Sequence, residues 1–94
     1  MTELAARSHL LAFLFTVTEN NLPSWYGVSA YSLADALALL AERGVAIDMR
    51  AANVTIEEAI TFHDLERRPI LRNHLVPNMG PMQFRGLWYP RGNL

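Results

Sequence analysis

Three histidines, His9, His63 and His74, and nine carboxylates are the side chains in this chain that could move a proton or hold a metal. Their spacing argues against either use. His63 and Asp64 are neighbours in a segment that reads as a helix, where adjacent side chains diverge by about 100° and share no site unaided. His63 itself falls on the apolar stripe of that helix, which suits a hydrogen-bonded core histidine better than a ligand. The intervals between His9, His63 and His74 match no metal-ligand pattern. The chain has no cysteine, which excludes thiolate zinc sites, disulfide frameworks and cysteine nucleophiles. Glycines at 27, 44, 80, 86 and 92 are too dispersed to cradle a phosphate. Ser24, Ser29 and Ser32 lie in no nucleophile-elbow context. No catalytic residue, metal site or cofactor is expected.

The arginines carry a stronger signal. All eight basic residues are arginine, which reads as the codon bias of a GC-rich bacterial genome. Up to Glu66 there are nine acids against three arginines, a balance of −6; from Arg67 onward there are five arginines and no acid, a balance of +5. Such asymmetry points to an interaction surface, unless the two halves pair their charges inside the fold. Planar guanidinium groups suit carboxylate or phosphate partners. Aromatic residues accompany them in "MQFRGLWYPRGNL", the last thirteen residues, and Trp, Tyr and Arg dominate interface hot spots. Arg72, Arg85, Tyr89 and Arg91 are therefore the candidate partner-binding residues. In each of the pairs Trp25-Tyr26 and Trp88-Tyr89, alternation along a strand sends one ring to the core and one outward.

These residues need elements to position them. "HLLAFLFTVT", His9 to Thr18, is apolar on both alternating sets and reads as a strand buried on both faces or as one exposing a patch to a partner. "ENNLPS" breaks it with turn formers. "SLADALALLAERG" is a helix: Ser32 and Asp35 form a capping box, Leu33, Ala36, Leu37 and Leu40 make one stripe, and Gly44 closes it. "VAIDMR" alternates as a short strand with one wet face. A second helix is expected from Thr55, capped with Glu58 and ended near Arg68 by Pro69. Ile70–Val76 and Met82–Tyr89 read as two strands of a terminal hairpin around "PNMGP". Gly86, in mid-strand, marks a bulge or a close backbone approach.

The expected fold is a single α+β domain: a small, mostly antiparallel sheet of about four strands with two helices packed on one face. The chain has 94 residues, 51% hydrophobic and only 18% charged, so some apolar area would suit burial against another chain. Leu10–Val17 is too short to span a bilayer and makes a poor signal peptide, so a cytoplasmic protein is expected. The favoured function is a small non-catalytic interaction module of inhibitor, immunity or adaptor type. Its partner is another protein chain, with a second copy of itself as an option. The alternatives are a homo-oligomeric small-ligand-binding domain and, further down, a nucleic-acid-binding protein. The near-neutral total charge and the lack of a basic stripe disfavour nucleic acid.

Overall fold

A computed structural model describes residues 9–91. Four strands form one antiparallel sheet in the order β3-β1-β2-β4. They are β1 (Leu11–Glu19), β2 (Leu22–Ala30), β3 (Val54–Glu57) and β4 (Gly86–Tyr89). The helices are α1 (Leu33–Glu42), α2 (Phe62–Arg67) and α3 (Pro69–Leu75), the last running into a 3₁₀ turn at Val76–Asn78. The α+β class and the antiparallel four-stranded sheet are those the sequence implies. Two helices do share one face, but they are α2 and α3; α1 covers the other.

The apolar run of β1 explains this layering. Phe13 and Phe15 face α1 and build one core with Val28, Ala30, Ala36 and Leu40. Leu14, one residue out of phase, faces a second core with Ile60, Leu65, Leu71, Leu75 and Trp88. A strand apolar on both faces has been given a layer on each.

β2 was not expected. The turn after β1 is only Asn20-Asn21, both with positive φ (53° and 64°), and the chain returns at once with Glu19 opposite Leu22. That is the geometry of a two-residue primed turn, which asparagine tolerates. Pro23 reads as a breaker, yet an edge position needs no amide from it. "VAIDMR" is not a strand. The edge of β1 it would need is taken by β3, and Asp48 folds the segment into a turn, accepting from Arg50 N–H at 3.0 Å. Val45 and Ile47 still pack against the first core.

The helix expected from Thr55 is also corrected. Val54–Glu57 is β3, as its β-branched residues permit. Ala59 then takes a positive φ of 57°, so no helix runs through it. The helix begins instead at Thr61, where Thr61 and Asp64 make the capping box. His63 is exposed there, not on a core stripe. Ile70–Val76 is helical rather than extended. Pro69 is tolerated in the first turn, and the helix buries Leu71 and Leu75, four apart. Two buried leucines at roughly 1.5–3 kcal/mol each outweigh a strand propensity scale spanning about 1 kcal/mol. The terminal hairpin therefore does not form, and β4 pairs with β2.

β4 is held by two glycines. Gly86 has φ +135°, a backbone that side-chain-bearing residues avoid. At Gly27 a Cβ would sit 2.5 Å from the ring of Trp88, so the indole packs directly on the β2 backbone. The ladder shifts register between Gly27 and Val28, which turns both Trp88 and Tyr89 toward the second core.

Candidate functional site

β4 pairs only with Gly27–Ser29, while β2 begins at Leu22. The outer edge of β2 from Leu22 to Tyr26 therefore lies open where β4 ends. Tyr89, Pro90 and Arg91 leave the sheet beside it, through a cis Tyr89-Pro90 peptide. Two concavities flank Tyr89. One, of about 330 Å³, is lined by Pro23, Ser24, Trp25, Tyr26, Tyr89 and Pro90. The other, of about 390 Å³, is lined by Pro77, Asn78, Tyr89, Pro90 and Arg91.

Backbone hydrogen bonds fix this corner. Arg91 N–H donates to Asn78 O at 3.1 Å, and Gly80 N–H donates to Trp88 O at 2.8 Å. Trp25 is half-buried, its ring 5.5 Å from that of His74 on α3. Tyr89 is half-buried against the second core. The guanidinium of Arg91 is exposed and makes no ion pair among the described residues.

The four candidate residues do not converge. Tyr89 and Arg91 share the second concavity. Arg72 lies on the exposed side of α3, its guanidinium Nε making a 3.5 Å approach to Asn73 Oδ1. Arg85, just before β4, is committed within the chain: its Nε donates to Asp35 Oδ2 at 2.9 Å and its Nη2 to Oδ1. This bidentate pair ties the approach to β4 onto the first turn of α1. It holds the Asp35 carboxyl below its ordinary pKa, helped by the Tyr31 N–H and opposed by partial burial. Asp35 thus reaches back to Tyr31 rather than to Ser32, whose hydroxyl caps the Asp35 amide at 3.0 Å. Arg68 is similarly bound to Glu57, and Arg67 to Asp64. Three of the five C-terminal arginines are therefore neutralised internally, and Arg72 and Arg91 are not.

Sequence reasoning missed the contributions of Trp25 and Asn78. Trp25 was legible as half of an aromatic pair, but its place depended on seeing Asn20-Asn21 as a hairpin turn. Asn78 was readable only as a turn residue. Among the described residues no group of three or more His, Asp or Glu is placed to hold a metal ion, and no helix is long and apolar enough to cross a membrane. No protein-family model, no curated protein and no solved structure matches the chain.

Proposed function

We infer that this chain is a small non-catalytic interaction module that works in the cytoplasm by occupying the surface of another protein. The observation that carries this reading is the corner at the end of β4. An uncommitted arginine, a half-buried tyrosine and the tryptophan of an open strand edge lie there around adjoining concavities. Aromatic anchors beside a guanidinium are the chemistry of protein hot spots. No acidic residue occurs in the chain after Glu66, so the corner favours a partner that offers a carboxylate to Arg91.

The test compares the wild-type chain with Tyr89→Ala/Arg91→Ala as bait in extracts of the native host. Binding to labelled single-stranded nucleic acid is measured in parallel at two salt concentrations. Support is a protein retained by the wild type and lost from the variant, while the variant melts within a few degrees of the wild type. An identical set of proteins on both baits refutes the reading. So does a salt-sensitive nucleic-acid complex that the substitutions abolish, because steep salt dependence marks phosphate contacts.

A further inference from the structure

The opposite edge of the sheet carries a different signal. β3 is the outermost strand on that side, and its outer edge pairs with nothing among the described residues. The phase of the ladder follows from the hydrogen bonds around it. Thr18 N–H donates to Asn53 O, so Asn53, Thr55 and Glu57 are the residues that exchange backbone bonds with β1. The N–H and C=O of Ile56, between them, point outward. Val54 turns its own amide back to Ala51 O at 3.3 Å, leaving its carbonyl on the edge.

Natural edges are usually guarded by a charge, a proline or a bulge. The sequence Val-Thr-Ile-Glu holds one such guard, Glu57, and Arg68 cancels it through a two-point contact, with Nη2 donating to Oε2 at 2.7 Å. Over this edge the corner between α2 and α3 leaves a groove of about 450 Å³, floored by Thr16 and Thr55 and walled by Arg68 and Ile70. Ile70 is 66% exposed at its rim.

We propose that β3 pairs antiparallel with β3 of a second copy, about a two-fold axis at Thr55, joining two sheets into one. The strand is self-complementary in this register. On one face Val54 meets the partner's Ile56 and Ile56 meets the partner's Val54. On the other, Thr55 meets the partner's Thr55, a favourable cross-strand pair. Glu57 lies opposite the partner's Asn53, so the two Glu57–Arg68 pairs stand about 14 Å apart at roughly 3.4 Å per residue and do not confront each other.

Charge complementarity supports the same occupant. Glu58, at one end of β3, and Arg50, beyond the other, are both exposed and make no ion pair among the described residues. Antiparallel pairing brings the Glu58 end of each copy to the Arg50 end of the other. This surface is distinct from the corner at Tyr89 and Arg91, on the other side of the sheet.

The test uses charge exchange at the axis. Thr55 is exposed, so Thr55→Lys and Thr55→Glu leave the sheet its apolar residues while placing like charges opposite each other. Sedimentation velocity should show a wild-type dimer at concentrations of about 100 μM, a weak-affinity range. Each variant alone should be monomeric, and an equimolar mixture should dimerise again. The Ile56 amide should exchange with deuterium more slowly at high than at low wild-type concentration. A wild type that stays at 10.6 kDa throughout, variants that still dimerise, or a mixture that does not recover would each overturn the proposal.

Discussion

Gly27→Ala tests the packing that places the candidate corner. A Cβ at residue 27 would lie 2.5, 2.5 and 2.6 Å from three ring carbons of Trp88. Ordinary contact needs at least about 3.4 Å, so the ring or the strand must retreat by about 1 Å. Neither has room. Trp88 is 1% exposed and shares its core with Leu14, Leu65, Leu71 and Leu75, all buried. Interiors packed to crystal-like density transmit such a shift rather than absorb it. Overpacking of this kind costs about 1–3 kcal/mol, and the upper half of that range fits a ring hemmed in on its other side. For a chain of this size, 2–3 kcal/mol lowers Tm by about 10–20 °C. The backbone of Gly27 is not left-handed, so the loss is steric and removable. A double-mutant cycle with Trp88→Leu checks this by thermal melts followed by circular dichroism. With the indole gone, Gly27→Ala should cost little. An unchanged Tm for Gly27→Ala, or the same cost in both backgrounds, refutes the reasoning.

Thr61→Ala removes the hydroxyl that caps the Asp64 amide, while the backbone N–H of residue 61 can still donate to the Asp64 carboxylate; it should cost about 0.5–2 kcal/mol, read from urea midpoints at constant slope. At the β1–β2 turn, Asn21→Gly relieves the positive φ of 64° and should raise Tm, whereas Asn21→Val should lower it by several degrees. The carboxyls of Asp35 and Asp64 titrate below their ordinary value in the folded chain. The causes are the hydrogen bond from Arg85 at the first and the backbone amide of Thr61 at the second. In acid the unfolded chain therefore binds more protons than the folded one. The stability these groups contribute is complete above about pH 4, the unfolded carboxyl range, and is lost as pH falls through the folded values. Asp35→Asn should melt below the wild type at neutral pH, with the gap closing below about pH 4; a constant gap would contradict the assignment.

The fold was legible where a local signal and a tertiary demand agreed. Helix α1 has its cap, stripe and terminator in one stretch, and β1, apolar on both alternating sets, allowed either two buried faces or a patch for a partner, of which the fold takes the first. Elsewhere local chemistry offered two answers and packing chose. Thr55/Glu58 and Thr61/Asp64 are both plausible capping pairs, and only the claim of β1 on Val54–Glu57 selects the second. Leu71 and Leu75 lie four apart, as a helix requires, inside a stretch whose Ile70 and Val76 suit a strand. The deciding fact is a second core facing Leu14, formed from Leu65 and Trp88, far away in sequence. The same holds for the site. Tyr89 and Arg91 could be named from residue type and position. That Arg85 is spent on Asp35, fifty residues away, follows only from the packing of α1 beside β4.

The two edges of the sheet are unlike, and the cause is chain economy on a shared sheet. β1 and β2 are each nine residues long, whereas β3 and β4 are four. Neither outer strand can cover its neighbour, so each edge has an open stretch whose character is set by what the chain does next. Beyond β4, Pro90 lacks the donor that would continue the ladder. Pro23, across the gap, likewise lacks an amide, so only Trp25 can donate from that open stretch of β2. What marks that stretch out is its side chains, with Trp25 lying beside Tyr89 and Pro90. β3 likewise has one outward amide, that of Ile56, because Val54 donates to Ala51 O, but it contains no proline and its single charge is matched by Arg68. On the two proposals above, one edge reads a foreign surface by shape and charge, and the other pairs with an identical strand. A chain using both would present its two Tyr89–Arg91 corners at the far ends of one continuous sheet.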